Sequence, residues 1–475
     1  MLSTVQKRYL TESWHNASKT YEVRNPANNQ VIAEVADCGA EEAKQAADVA
    51  SKAFASWKET TAYERAAILE RWHDLMYENL EMLAQTMTAE MGKPIKEARG
   101  EIAYSAGFVK WYAEEAKRIY GDTIPSQHPN KRLLAIRQPV GPSFAVTPWN
   151  FPSAMITRKA APALAAGCTA ICKPAEQTPL SALYLAALWQ EAGGPEGTLQ
   201  VLPALNPAPL SDVLIADPRI RKLTFTGSTE VGRMLYGKAA QTIKKVSLEL
   251  GGHAPFLVFE DADIDQAVPQ VMACKFRNSG QTCVCTNRIY VAQNIADDFV
   301  AAYAEAVKKL KVGDPSDDTT DIGPLVDQQG LDKVKAHLQD ALGKGAQVIT
   351  GGEALEGLYF QPTVLRGVTP DMQMMQEETF GPVAPILTFS DEAEAVRLAN
   401  DTPYGLAAYI YTQDLSRAFK VAEALDYGIV GVNDGVPSTP QAPFGGYKAS
   451  GVGREGGKWG IEEYLETKYI SIGLR

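Results

Sequence analysis

AICKPAEQTPLSALYLAALWQEAGG, residues 170–194, is the stretch from which the fold can be read. Ala170 to Cys172 is a short apolar run of the kind that forms a buried strand. Thr178-Pro179 pairs a helix-capping residue type with a proline at the first helical position. Leu180 to Ala192 then reads as a helix, stopped by Gly193-Gly194. This is one strand–helix unit, and it repeats. From about Lys131 onward, the apolar runs Phe144–Val146, Lys222–Phe225, Val246–Leu250 and Phe256–Phe259 alternate with helical patterns. Such alternation specifies mainly parallel sheets covered by helices. A second series follows Gly251: Asn287–Ala292 as strand, Ala296–Leu310 as helix, Val348–Thr350 as strand, and so on to Gly428–Asn433. The pattern predicts an α/β protein of two lobes with a boundary near Gly251-Gly252.

Upstream, the texture is helical. Between Glu41 and Trp57, residues Ala43, Ala46, Ala47, Ala50, Phe54 and Trp57 share one helical face. Thr61 to Met91 reads as one helix through Ile68, Trp72, Leu75, Met76, Leu83 and Met87, ended by Gly92 and Pro94. The first hundred residues are therefore expected to be largely helical. Ile119 to Arg137 and the tail Tyr469–Ile472 look extended and leave the lobes. Extended apolar segments of that kind need a partner, which predicts a homo-oligomer, dimer or tetramer.

Composition narrows the function. A chain of 475 residues, 45% apolar and 22% charged, is long enough for two to four globular units of roughly 100–200 residues each. A net charge of −11 without a basic block argues against nucleic acid as the main partner. The longest nearly apolar stretch, Ala160 to Cys172, is short and broken by Pro162 and Gly167, so no membrane span is expected. Met1 to Leu10 has no apolar core, so no signal peptide is read, and a reducing cytoplasm is the expected location. Six cysteines are too few for a disulfide scaffold, and Cys168 and Cys172 have no second ligand pair to complete a metal site.

Four clusters carry candidate chemistry. Cys283 follows a Gly280-Gln281-Thr282 turn, where an exposed thiolate could attack a carbonyl. Glu249 stands at the end of an apolar run beside Gly251-Gly252, placed for a general base. Asn150 sits in a loop clamped by Pro148 and Pro152, where its amide could stabilise an oxyanion. Gly227 and Gly232 frame a strand-to-helix turn that could receive a pyrophosphate, although it is not the six-residue dinucleotide fingerprint. Lys173 and Glu176 add an ammonium and a carboxylate at the sheet edge, where cofactors bind. Taken singly, each has a plainer reading: a buried thiol, a solvated glutamate, an asparagine in a turn, a glycine pair.

Together these motifs resemble the aldehyde dehydrogenase superfamily over nearly the whole chain. The matching stretches are TPWNFP at 147–152, KPAEQTP at 173–179, FTGSTEVG at 225–232, LELGG at 248–252, GQTC at 280–283, EETFGPV at 377–383 and PFGGYKASG at 443–451. Around Arg158, Arg277 and Ser438 the chain is similar to succinate-semialdehyde dehydrogenases. The resemblance implies two Rossmann-like lobes with a small oligomerisation arm. Residues 1–117 and 138–250 would bind cofactor, 251–432 would form the catalytic lobe, 118–137 and 462–475 the arm, and 433–461 would return to the cofactor and substrate region.

The resemblance also implies a mechanism. Cys283 would form a thiohemiacetal and then a thioester, Asn150 and the Cys283 amide would hold the oxyanion, and Glu249 would activate the hydrolytic water. Trp149, Lys173, Glu176, Gly227, Ser228, Leu250, Glu378 and Phe380 would hold the dinucleotide. Glu176 favours NAD over NADP, because a carboxylate there repels a 2′-phosphate, with a nearby lysine leaving some NADP use open. Arg158, Arg277 and Ser438 would clamp the distal carboxylate of a semialdehyde, succinate semialdehyde first and glutarate semialdehyde as the alternative. Taken singly, each arginine would sooner serve an internal salt bridge. Cys285, two residues beyond Cys283, could form a reversible disulfide with it under oxidation. His253 replaces a more usual Asn or Lys and reads as a supporting or surface residue, and the segment 205–209 is poorer in glycine than the matching loop of many relatives. A cysteine hydrolase working without nicotinamide is the rival class, but it needs a histidine base at Cys283, and His253 is the only histidine in a motif.

Overall fold

A computed structural model describes residues 5–474, so Met1–Thr4 of the leader reading and Arg475 of the arm lie outside the described residues. Two α/β sheets organise it. In the first, five parallel strands stand in the spatial order Lys245–Glu249, Lys222–Thr226, Ser143–Val146, Ala170–Lys173 and Leu199–Val201. Antiparallel edge strands close it: Gly451–Val452 beside Lys245–Glu249, and Arg8–Leu10 followed by Trp14–Asn16 beyond Leu199–Val201. The second sheet runs Gln347–Thr350, Thr363–Arg366, Val383–Phe389, Thr286–Ala292, Ala254–Val258, Ala407–Tyr411 and Ile429–Val432, parallel except at its first pair. Strands of this kind are buried on both faces, which is why they read as continuous apolar runs rather than alternating ones.

Near Gly251-Gly252 the chain passes from one sheet to the other. Glu249 ends a strand of the first sheet and Ala254 begins one of the second. Only Leu250 to His253 separate them, so the C-terminal edge of one sheet lies next to the N-terminal edge of the other. The extended segments do leave the lobes: Leu465–Gly473 pairs antiparallel with Lys131–Pro139, which also pairs with Asp122–Ile124.

Two local expectations change. The stretch 61–91 is two helices, Ala62–Glu78 and Leu80–Met91, broken at Asn79. There the side-chain amide donates to the Leu75 carbonyl at 2.9 Å and competes with the helical backbone, as asparagine does. The helices of the first hundred residues begin only at Ala40, and four short strands between Arg8 and Ala36 precede them. The helix Pro179–Glu191 has proline at its first turn as expected, but Thr178 makes no capping bond. Its cap is the buried Glu90 carboxylate, which accepts from the backbone amides of Leu180 at 2.8 Å and Ser181 at 2.9 Å. The helix Ala62–Glu78 starts at a reciprocal capping box of Thr61 and Glu64.

Helix Ala154–Ala166 runs through the interior between the two lobes' chemistry. All its residues are buried, and its only charged side chains are Arg158 and Lys159. Buried charges persist only when paired, so their partners point to the site.

Candidate active site

Cys283 lies on the loop between helix Ile264–Phe276 and strand Thr286–Ala292. The approach is strained. Asn278 and Ser279 are left-handed at φ 52° and 57°, followed by Gly280 at φ 76°. Non-glycine residues in that region cost about 1–3 kcal/mol each and survive where the surroundings fix them. Here they are fixed. Asn278 donates through its side chain to the carbonyls of Asn150 (3.1 Å) and Gln281 (3.2 Å), and its own amide donates to Glu97 at 2.7 Å. Gln281 accepts from the Val326 amide at 3.0 Å. Gly252 then lets the Cys283 carbonyl come close, since a Cβ there would sit 2.5 Å from that oxygen. The two motifs 248–252 and 280–283 thus touch through backbone.

The Asn150 side chain is buried and donates one of its N–H groups to the Gln281 carbonyl at 3.1 Å. That bond orients the amide beside the Cys283 loop and leaves its second N–H free. Lys93 holds the Asn150 carbonyl at 2.8 Å, lies 3.9 Å over the Phe151 ring and is ion-paired with Glu101. Glu101 in turn accepts from the amides of Ser153 (3.0 Å) and Ala154 (3.2 Å), capping the helix that carries Arg158 and Lys159.

Glu249 is buried, and both its carboxylate oxygens lack a hydrogen-bond partner. Burial first, and Glu455 second, raise its carboxyl well above the ordinary range, while Arg158 and Lys159 pull the other way. Burial also pushes the Cys283 thiol up to about 12, with Arg158 opposing and Glu378 and Glu249 adding to the rise. The buried cations find the expected partner: Lys159 and Arg158 both meet Glu455, Arg158 at 2.8 Å, and Lys159 also donates to Thr226 at 2.6 Å.

A cavity of about 320 Å³ opens on Cys283. Arg158, Arg277 and Ser438 all line it, together with Lys93, Glu97, Glu101 and the apolar walls Tyr104, Phe151, Met155, Val284, Val436 and Phe444. Neither Asn150 nor Glu249 is in its wall. Arg277 faces Phe151 at 5.5 Å, and its Nε is buried without a partner. Arg158 stacks on Phe444 at 3.9 Å, so the internal salt bridge and the cavity position coexist in that residue. Cys285 is not in the cavity. Its buried thiol donates to the Lys275 carbonyl at 3.3 Å. His253 is fully buried, which leaves the supporting role of its two readings and removes the surface one.

The dinucleotide candidates gather along the C-terminal edge of the first sheet. Lys173 ends its strand and meets Glu176 at 3.2 Å. Gly227 donates to the Glu249 carbonyl at 3.0 Å, and Ser228 caps helix Thr229–Ala240, accepting from Val231 at 3.3 Å. Gly232 closes on Leu250, which packs against the same helix. Trp149 and Phe380 form an edge-to-face aromatic corner at 5.5 Å, Phe380 in a left-handed conformation at φ 55°. Glu378 accepts from the Gly252 amide at 3.3 Å, and burial pushes its carboxyl up to about 7. The donor set fits a dinucleotide: an ammonium and a carboxylate suited to ribose hydroxyls, a helix N-terminus suited to a pyrophosphate and an aromatic corner beside Asn150. Residues 205–209, the glycine-poor segment, begin exposed and continue into helix Pro207–Ala216.

Sequence reading missed Lys93, Glu97, Glu101, Lys159 and Glu455. Two adjacent cations in an otherwise apolar helix were the available signal for the last pair.

Comparison with known proteins shows the family of the chain. The model of the aldehyde dehydrogenase family matches residues 14–470. The chain is 53% identical to a glutarate-semialdehyde dehydrogenase of Pseudomonas putida KT2440, covering 99% of this chain and 98% of that one. It is 54% identical, with 99% and 98% covered, to the NADP(+)-linked succinate-semialdehyde dehydrogenase GabD of Escherichia coli K12. The solved structure of a succinate-semialdehyde dehydrogenase from Burkholderia pseudomallei matches at TM-score 0.98 and 50% identity, with 99% of each chain covered.

Proposed function

The chain belongs to the aldehyde dehydrogenase family and is an aldehyde-oxidising, NAD(P)-dependent enzyme, and from that premise we propose that its substrate is succinate semialdehyde, oxidised to succinate. One observation carries this reading: Cys283 opens on the same cavity as Arg158, Arg277 and Ser438. A nucleophile at one place and planar cationic donors at another suit an aldehyde bearing a distal carboxylate. Both guanidinium Nε atoms are buried and unpartnered, but Arg158 already faces Glu455, which makes Arg277 the stronger anchor.

In this reading the Cys283 sulfur attacks the carbonyl carbon and forms a thiohemiacetal. The free N–H of Asn150 and the Cys283 amide stabilise the oxyanion, in a setting preorganised by Lys93, Asn278 and Gln281. A dinucleotide held by Lys173, Glu176, Gly227 and Ser228 would supply the hydride acceptor, and Cys283 then carries a thioester. Glu249 then takes a proton from the water that attacks the thioester, releasing the acid and restoring the thiol. A buried carboxylate with no competing donors is a strong base for that step.

NAD is the proposed cofactor over NADP. Glu176, about one-third exposed and paired with Lys173, can accept from both ribose hydroxyls and would repel a 2′-phosphate. Glutarate semialdehyde is the second reading, favoured by its named use in a relative 53% identical. One added methylene changes binding by only about 1–3 kcal/mol, so overlap is expected. A homodimer or homotetramer is proposed from the three-stranded arm, where Tyr469 and Ile472 are exposed. Six unpaired cysteines support a cytoplasmic location.

The test is a panel of aldehydes with NAD and with NADP, monitored at the nicotinamide absorbance. Succinate and glutarate semialdehydes should exceed neutral aldehydes of matched length in kcat/KM. Equal use of the neutral aldehydes contradicts the substrate reading.

A further inference from the structure

The Arg158 guanidinium serves two neighbours at once. It lines the substrate cavity, and one of its nitrogens lies 2.8 Å from Glu455. Its Nε is buried with no hydrogen-bond partner, so donor capacity remains after Glu455 is faced. Glu455 is also close to the base. Phe444 and Glu455 exchange backbone hydrogen bonds of 2.7 and 2.8 Å. The next residue, Gly445, lies so near the base that a Cβ there would sit 2.9 Å from Glu249 Oε1. One arginine therefore spans the place proposed for the substrate's far carboxylate and the acidic pair that includes the general base.

We propose that Arg158 couples substrate recognition to the strength of the base: the far carboxylate of an acid-bearing aldehyde shares the guanidinium with Glu455, which makes the Glu249–Glu455 pair more basic during thioester hydrolysis, whereas a neutral aldehyde leaves the pair unchanged. This rests on the proposed carboxylate-bearing substrate. The physics is Coulombic. A cation shared with a second anion stabilises the first anion less, so protons bind the pair more tightly. A more basic carboxylate also takes the water's proton more readily. Glu455 is faced by Arg158 and Lys159 from helix Ala154–Ala166, by Glu249, by the Tyr104 and Tyr112 phenols and by Tyr464. Arg454 and Cys283 complete the surroundings of Glu249. Among these, only Arg158 also lines the cavity as a cation, so a substrate carboxylate acts on the pair through it.

The test measures hydrolysis of the Cys283 acyl-enzyme in a single turnover, by quenching and intact mass, after loading with NAD and either succinate semialdehyde or butanal, the aldehyde's hydride passing to NAD as the thioester forms. Rates are read from pH ~5 to ~8, where the acid limb of such a step falls. In the wild type, the half-maximal rate for the succinyl enzyme should lie about half a pH unit or more above that for the butanoyl enzyme. Arg158→Met should bring the two limbs together, and Arg158→Lys should keep part of the separation. Coincident limbs in the wild type, or a separation unchanged in Arg158→Met, overturn the coupling. If Arg158→Met does not fold, an undiminished separation in Arg158→Lys overturns it instead. Failure of the substrate reading shows separately, as an Arg277→Ala enzyme that loses both aldehydes equally.

Discussion

Gly252 and the Cys283 carbonyl approach so closely that a Cβ at position 252 would lie 2.5 Å from the oxygen. That contact joins the end of the first sheet to the nucleophile loop, and no flexible side chain stands between them to yield. Gly252→Ala must therefore move the loop. A displacement near 1 Å at a reacting atom costs on the order of 100-fold in rate. The expected result is kcat for aldehyde oxidation reduced by at least about that factor. A variant with native kcat shows that the approach is not needed.

In the proposed reading Arg277 contributes recognition rather than chemistry. Its guanidinium lines the cavity with an unpartnered Nε, and a hydrogen bond to a charged group is worth about 1.5–3 kcal/mol. Arg277→Ala should raise KM for succinate semialdehyde roughly 10- to 100-fold and leave KM for butanal nearly unchanged. Steady-state kinetics with both aldehydes decide it, and equal losses remove the clamp.

The thiol in the free enzyme should behave as a weak acid. Burial pushes Cys283 up to about 12, above its ordinary value, so the neutral thiol prevails and the thiolate fraction grows with every rise in pH. Alkylation of Cys283 by iodoacetamide should then accelerate about tenfold per unit between pH ~7 and ~9, without a plateau. Peptide mass spectrometry at each pH gives the rate. A plateau by pH ~8 contradicts the assignment.

Lys93 and Glu101 form a buried ion pair, each side chain 1% exposed, beneath the Asn150 loop. Removing one partner leaves an unpaired buried charge, which costs about 3–5 kcal/mol. Glu101→Gln should lose stability of that order in urea and also lower kcat, because the helix cap and the Lys93 grip on Asn150 loosen together. Denaturation and kinetics measured on the same preparation check both effects, and an unchanged midpoint sinks the prediction.

Much of the fold and site was legible in the sequence because it is local. The strand runs and helix patterns around 170–194 are short-range signals, and the cluster of Cys283, Arg158, Arg277 and Ser438 came with recognisable motifs. What stayed hidden is non-local. Lys159 meets Glu455 across 296 positions, and no window of sequence displays that pair. Glu90 displaces Thr178 as the cap of a helix 90 residues away, so local capping chemistry lost to a buried carboxylate. The strand Arg8–Leu10 has three residues and joins the first sheet opposite Val201, too short to show a period of its own. Cys285 looked like a partner for Cys283 because the two are close in number. Its bond to the Lys275 carbonyl is one that spacing along the chain does not show.

The most direct measurement concerns the covalent step. Glu249→Gln enzyme is mixed with succinate semialdehyde and NAD, then quenched, and the peptide containing Cys283 is weighed. The predicted result is a burst of about one equivalent of reduced nicotinamide, then a stall, with the succinyl group retained on Cys283 as a thioester. Steady turnover in that variant, or a burst that leaves Cys283 unmodified, contradicts it.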